Sequence, residues 1–394
     1  MKSSQIIGLF LIPCFLGCTE MTERERAEYE KSLNEDSGEE VDWLEEFEDY
    51  DYSEPELENI AYEPIGEFSE GNRSGQKYTN EHFGFELTLP TDWSFVELPE
   101  QNARLETNKI NFTNKNSELG EKFDKSIPNL IPLFSIKKSE TGPFINVFAE
   151  SLDAIPKVDD ALEYLEYTDH FITKTYKDGY PQYSDEYKSI DHVGTRDFLT
   201  QYFEIETEND VYDQLTYTAQ FDNFLLNFVC TFSDVDEDHE IAFLLVESIE
   251  WPVDREKDPN QYYVDKVDLI AEEVFLMSMG DTKEYEFPDE YWESVEYDNI
   301  EYISISWNLR GVDVYEEFVL QGNQLIYAYE EVDRSAIEED DIWWCSYTIR
   351  DRTIVSYTTH GEGESDRKGW SPESILEQWD QKTDRLQTFQ ILRE

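Results

Sequence analysis

The chain has 394 residues, with 91 acidic against 31 basic side chains and a formal net charge of -60. So negative a chain repels anionic surfaces and lacks the basic footprint that nucleic-acid binding requires. Aromatic residues make up 15% of the sequence, enough to build cores and to exclude wholesale disorder, and the length allows two domains.

The chain opens Met1-Lys2-Ser3-Ser4 and continues with an apolar run from Ile6 to Phe15. That run closes on Leu16-Gly17-Cys18, after which the sequence turns polar. It is shorter than the about 20 residues that cross a bilayer core. A charged start, a short apolar middle and a small residue before a cut form a secretory pattern. The stretch resembles a bacterial lipoprotein signal of the relaxed Bacteroidetes type, with Phe15 where that pattern usually has Leu. The resemblance implies a signal peptide at 1–17 and acylation (palmitate among the chains) of Cys18, which would anchor the protein in the cell envelope. Thr19 rather than Asp follows Cys18, which in that pattern points to the outer membrane, at its periplasmic face or the cell surface. An ordinary cleaved signal, giving a periplasmic or secreted protein, is the competing reading.

Residues 18–75 form an acidic tether. It carries Glu39-Glu40, Glu45-Glu46 and Asp49-Tyr50-Asp51-Tyr52 against Arg24, Arg26, Lys31 and Arg73, a composition that predicts disorder. Val41 to Phe47 is a short apolar island within it. Order is expected from Gln76. Phe83, Phe85, Leu87 and Leu89 alternate as one face of a strand that Pro90 stops, and Trp93 opens the next, Ser94 to Leu98. Further strands are predicted at Lys109–Thr113, Leu133–Lys137 and Phe144–Glu150, with a loop at Asn114–Asn129. Ala161, Leu165, Thr168, Ile172 and Tyr176 recur at helical spacing within a helix over Val158–Tyr176. Strands follow at Glu186–His192, Arg196–Glu206, Val211–Phe221 and Phe224–Phe232, then a helix at Asp238–Ile249.

Tyr78, Phe83-Gly84-Phe85-Glu86-Leu87, Leu89-Pro90 and Trp93, followed by this element order up to Glu247-Ser248-Ile249-Glu250-Trp251, resemble the Mog1/PsbP/DcrB-like group over about 76–252. The resemblance implies an α+β fold, an α/β/α sandwich on an antiparallel sheet. Members of that group act mainly by binding other proteins, and one branch is a bacterial envelope lipoprotein. No site residue carries over, because the group shares a fold more than a site.

A charged linker follows at 253–262, and 263–394 reads as a small antiparallel β-meander domain with flanking helices. The predicted elements are a helix at Val264–Met279, strands at Ile300–Trp307, Val314–Leu320, Leu325–Val332, Ile342–Ile349 and Thr353–Thr359, and a last helix. Gly322-Asn323 is a two-residue hairpin signal. Ser371-Pro372 caps the last helix, which Ile375, Leu376, Trp379 and Leu386 make amphipathic.

Chemistry-bearing motifs are few. GxSxG, HExxH, P-loop and GxGxxG patterns do not occur. Asp234-Val235-Asp236-Glu237-Asp238 begins like a calcium loop, but His239 and Leu245 stand where Gly and Glu are needed. A helix N-terminus rich in acids explains it better. The histidines at 82, 170, 192, 239 and 360 have no metal spacing. Cys230 and Cys345, each in an apolar run, read as buried small hydrophobes. Trp343 and Trp344 point to opposite faces of a strand, one into the core and the other expected under the last helix. The sequence therefore predicts no catalytic, cofactor or metal residues and no cofactor, only lipid attachment at Cys18. The expected function is a non-enzymatic envelope lipoprotein binding a protein partner. Alternatives are an acidic inhibitor or immunity protein masking a basic surface, and a hydrolase with a carboxylate pair in an interdomain cleft. Neither nucleic acid nor a metal is an expected partner.

Overall fold

The computed structural model describes residues 57–97, 130–139, 142–155, 158–175, 182–206, 211–233, 235–277, 283–287, 290–297, 299–308, 311–335, 341–361 and 370–393. Cys18, the chain to residue 56, the expected strand Lys109–Thr113 and the expected loop Asn114–Asn129 lie outside these residues. The chain divides into two compact units at Ile241–Ala242.

The first unit is built on an antiparallel sheet. Its chain order is β1 (Ala61–Tyr62), β2 (Asn72–Ser74), β3 (Lys77–Asn80), β4 (Phe85–Thr88), β5 (Ser94–Phe95), β6 (Leu130–Lys137), β7 (Phe144–Ser151), helix α1 (Ala161–Thr175), β8 (Gln182–Val193), β9 (Arg196–Glu206), β10 (Val211–Phe221) and β11 (Phe224–Phe232). The main sheet runs β5-β6-β7-β11-β10-β9-β8, with β1 added in parallel against the end of β10. Strands β2, β3 and β4 pair antiparallel in a second, smaller sheet. Its aromatic side chains meet one face of the main sheet: Phe83 lies edge-on to Phe221 at 5.2 Å and Phe85 faces Phe228 at 6.0 Å. Helix α1 takes the other face, where Ala161, Tyr164 and Leu165 pack with Leu152, Leu199 and Leu225. Its start is capped reciprocally. The Asp160 carboxylate accepts from the Glu163 N–H at 2.9 Å, and the Glu163 carboxylate accepts from the Asp159 N–H at 2.8 Å.

Ordered pairing begins upstream of the expected Gln76. Ala61–Tyr62 pairs with Gln220–Phe221, and Asn72–Ser74 pairs with β3. The acidic composition of 57–75 hides a few anchors that outweigh its charge. Phe68 stacks on Phe224 at 4.3 Å, Tyr62 packs on Phe221 at 5.4 Å, and the Arg196 guanidinium covers the Tyr62 ring at 4.6 Å. Ile65 lies over Gly84, whose φ of +75° and lack of a Cβ let the two segments close up.

Helix α2 (Val235–Ser248) carries the chain across the division, followed by β12 (Ile249–Glu250). A short helix α3 (Pro252–Lys257) occupies the stretch expected as linker, with Pro at its first turn and Arg255 and Lys257 in its last, both favourable to a helix. Helix α4 (Pro259–Met277) comes next. A meander then pairs each strand with the next: β13 (Lys283–Glu286), β14 (Tyr291–Tyr297), β15 (Ile300–Asn308), β16 (Asp313–Gln321), β17 (Gln324–Asp333), β18 (Ile342–Arg350) and β19 (Thr353–His360). Strands β13 and β14 went unpredicted because Glu alternates with Tyr and Trp there, leaving little apolar signal. Buried Trp292 shows the alternation directly. The expected hairpin at Gly322-Asn323 forms with φ of 54° and 65°, and Asp351-Arg352 makes a second with φ of 49° and 60°.

Helix α5 (Ser374–Arg393) covers one face of this sheet through Ile375, Leu376 and Trp379, against Trp292, Ile305, Phe318 and Trp343. Helix α4 covers part of the other face through Val267, Ile270, Ala271 and Val274, against Tyr302, Val319 and Ile326. No described helix is long and apolar enough to cross a membrane.

Under α5 the apolar packing gives way to an ion cluster. Lys382 Nζ lies 3.2 Å from Glu316 and 3.5 Å from Glu290, over the Trp307 ring at 4.2 Å. Arg385 and the Trp292 indole N–H also bond Glu290. Burial pushes the Glu290 carboxyl up, but the Trp292 hydrogen bond and the Lys382 and Arg385 charges outweigh it and hold it below the usual range. At Glu316 burial wins over Lys382, and its pKa rises to about 7. A carboxyl raised on folding holds its proton more tightly in the folded state, so its contribution to stability is lost as pH rises between about 4.5 and 7. We therefore expect Glu316→Gln to gain stability over the parent across this window, by up to roughly 3 kcal/mol at 1.36 kcal/mol per pK unit. Urea unfolding of both proteins at pH 4.5 and pH 8 checks this; an equal difference at the two pH values would contradict it.

Candidate functional site

Two Tyr-Glu-Glu triplets stand in neighbouring strands, Tyr315-Glu316-Glu317 in β16 and Tyr329-Glu330-Glu331 in β17. The antiparallel register sets Tyr315 opposite Glu331, Glu316 opposite Glu330 and Glu317 opposite Tyr329. Because side chains alternate, the middle glutamates turn together toward α5. There Glu316 joins Lys382, and Glu330 accepts from the Tyr347 hydroxyl. The outer four side chains form a tyrosine–carboxylate checkerboard on the α4 face. Trp344 and His360 extend the Tyr315–Glu331 row across β18 and β19. The rings touch in sequence: Tyr315 to Tyr329 at 6.4 Å, Tyr329 to Trp344 at 6.1 Å, and Trp344 stacked on His360 at 5.5 Å.

Where α4 stops covering the sheet, this surface forms a groove of roughly 570 Å³. Its walls carry the carboxylates of Asp268, Glu272, Glu317 and Glu331 and the tyrosines 315, 327 and 329, and among the described residues no Lys or Arg. A second depression of roughly 680 Å³ shares Tyr315 and Glu331 with it and adds Glu290, Asp313, Asp333 and Trp307. Burial raises the Glu317 carboxyl above its usual range, against the pull of hydrogen bonds from Tyr315 and Tyr302, and the nearby Glu331 charge raises it further. Burial raises Asp268 in the same way, against its bond with Thr348. Tyr302, Tyr315 and Tyr327 are all raised, first by burial and then by the Glu317 charge, so their rings stay neutral. Tyr329 is raised by burial and by its hydrogen bond to Glu331, 2.6 Å long.

Such a surface attracts a cation twice, through carboxylates that a cation would relieve and through the negative faces of the rings. The contrast with the α5 face is direct. There Glu290 and Glu316 have Lys382 beside them; here no cation lines the groove.

Trp344 is the residue that the structure moves. It is half-buried on the α4 face beside Tyr329, and the last helix covers Trp343 instead, as alternation in β18 requires. Cys230 and Cys345 are both buried. Residues 235–238 form the first turn of α2. His82 is buried with its Nδ1 2.8 Å from the Gly66 carbonyl, and His192 lies 3.2 Å from Asp197. His360 is exposed and stacks on Trp344 at 5.5 Å. The checkerboard was missed by sequence reasoning, although the repeated triplet was its visible signal.

No family model matches the chain, and no curated protein matches it. Similar solved structures include that of cyanobacterial PsbP (CyanoP) from Synechocystis sp. PCC 6803. It is 14% identical, covers 48% of this chain and 98% of its own, and has a TM-score of 0.29. A crystal structure from Bacteroides thetaiotaomicron VPI-5482 is 10% identical, covers 66% of this chain and 87% of its own, and has a TM-score of 0.24. Neither likeness carries a function over to this chain.

Proposed function

We propose that the chain is a non-enzymatic cell-envelope lipoprotein that binds a protein partner, and that the tyrosine–carboxylate groove receives a basic side chain of that partner. The observation that carries this reading is the groove's lining of four carboxylates and three tyrosines without a Lys or Arg. The anchor is Cys18, lipidated after removal of residues 1–17, and the site of attachment is the outer membrane. A polar leash then separates the body from the lipid surface.

An acidic inhibitor or immunity protein that masks a basic surface is the second reading, favoured by the same lining and by the charge of -60. Salt separates the two. Masking by long-range charge collapses between low and moderate ionic strength, whereas a ring-seated cation keeps much of its affinity because short contacts are screened less.

Titration of the full chain with Lys- and Arg-containing peptides, followed by tryptophan fluorescence, tests the groove. We expect Glu317→Gln with Glu331→Gln, and separately Tyr329→Ala, each to weaken binding about tenfold, about 1.4 kcal/mol. Affinity in the parent rises with pH through the raised ionisation of Glu317 and Asp268, because a bound cation favours their charged forms. Unchanged peptide affinity in all these variants would sink the assignment.

For the anchor, Cys18→Ser is expected to move the protein from the membrane to the soluble fraction while the circular dichroism of the body stays the same. Retention of the variant in washed membranes would remove the lipoprotein reading.

A further inference from the structure

The tyrosine–carboxylate checkerboard continues beyond the groove. The register that sets Glu317 opposite Tyr329 and Tyr315 opposite Glu331 sets Asp313 opposite Asp333, one step further along the same two strands. These side chains share the α4 face, because each lies two residues from the next in its own strand. The face therefore carries a carboxylate at each of three successive rows: Glu317, then Glu331, then Asp313 with Asp333. Rows follow one another at about 6.8 Å, two residues at ~3.4 Å each. None of these residues is buried: Asp313 is exposed and the others are half-buried.

There is open room over all three rows. The groove of roughly 570 Å³ takes in the first two, and the depression of roughly 680 Å³ takes in the second and third. Tyr315 and Glu331 line both, so the two spaces meet there and follow β16 and β17. At the far wall Glu290 is already held by Lys382 and Arg385. Asp313 and Asp333 instead have neutral partners. The Asn308 amide donates to Asp313 at 2.6 Å and the Ser335 N–H to Asp333 at 2.7 Å. The bonds from Ser335 hold the Asp333 carboxyl below its usual range. Both carboxylates are thus fixed in direction with their charge left in place, and among the described residues neither lining includes a Lys or Arg.

An extended polypeptide has the same period as these rows, since its side chains return to one side every two residues, at about 6.8 Å. Two basic residues at alternate positions then reach two rows together. Adjacent basic residues point to opposite sides of an extended chain, and residues two apart do not share a face of a helix. We propose, building on the groove as a seat for a basic side chain, that the partner presents an extended segment with two basic residues at alternate positions. One side chain sits among Tyr315, Tyr329, Glu317 and Glu331, and the other lies between Asp313 and Asp333. Joined by one backbone, the second contact becomes intramolecular and adds affinity that neither seat supplies alone.

Calorimetric titration of the full chain with three capped peptides of Gly, Ser and Thr tests this: one with a single Arg, one with Arg-Arg, and one with Arg-Thr-Arg. We expect Arg-Thr-Arg to bind about tenfold more tightly than the single-Arg peptide, and about fivefold more tightly than Arg-Arg, which has the same charge. Asp313→Asn with Asp333→Asn keeps an accepting oxygen for the bonds from Asn308 and Ser335. It should bring Arg-Thr-Arg down to the level of the single-Arg peptide and leave the latter unchanged. Equal affinities for Arg-Thr-Arg and Arg-Arg, or an undiminished advantage of Arg-Thr-Arg in the double variant, would overturn the proposal, and the groove reading would stand so long as the single-Arg peptide binds. Absence of binding by all three peptides would overturn both.

Discussion

The antiparallel register between β16 and β17 is the constraint on which the second unit depends. It sets two Tyr-Glu-Glu triplets against each other and distributes their side chains over the two faces of the sheet. The middle glutamates go under α5, where charge must be compensated, and Lys382 reaches Glu316 to do so. The outer tyrosines and glutamates go to the α4 face, where no Lys or Arg lines the groove. A slip of one residue would exchange the two sets. It would bury the outer tyrosines and glutamates against α5 and leave Lys382 facing the wrong carboxylates. The ion cluster and the groove are therefore two outcomes of one pairing.

The same logic, run on the first unit, produces a different surface. Its central strands also alternate, but the polar members are Gln, Asn and Thr rather than Glu and Tyr. Neutral amides can be buried at far smaller cost than carboxylates, provided something accepts their hydrogen bonds. The Asn146 and Asn227 amide oxygens each accept from a neighbouring hydroxyl, of Ser135 and Thr218. The two units thus differ in what the polar face of their strands carries: neutral amides and hydroxyls in the first, carboxylates beside aromatic rings in the second.

Acidity itself has little to do with the fold. Several ion pairs among the described residues, such as Arg73–Glu97 and Arg352–Asp380, are exposed and worth at most about 1 kcal/mol each. What decides whether an acidic stretch is ordered is a handful of rings. Tyr62 and Phe68 fasten the end of the charged leader to β10 and β11, and Trp292 does the same for an acidic strand of the meander. A count of charges over these stretches conceals that, because one buried aromatic ring removes more apolar surface from water than several solvated carboxylates oppose.

By itself the sequence determined whatever depends on neighbours along the chain. The strands Arg196–Glu206, Val211–Phe221 and Phe224–Phe232 are legible as period-two runs. Helix α1 is legible from its 3.6-residue spacing, and the Gly322-Asn323 hairpin from the backbone freedom of its residues. The opposite facing of Trp343 and Trp344 follows from alternation alone. Which of them lies under α5 does not, since either assignment satisfies the pattern, and only the docking of a helix far along the chain chose between them. The strands β1, β13 and β14 were decided in the same way, by ring contacts made across long sequence separations. So was the candidate groove. Both Tyr-Glu-Glu triplets are plain in the sequence, but whether they meet, and in what register, depends on pairing between strands. Local alternation states which side chains share a face; tertiary pairing alone states what that face is opposite and whether water, a helix or a ligand covers it.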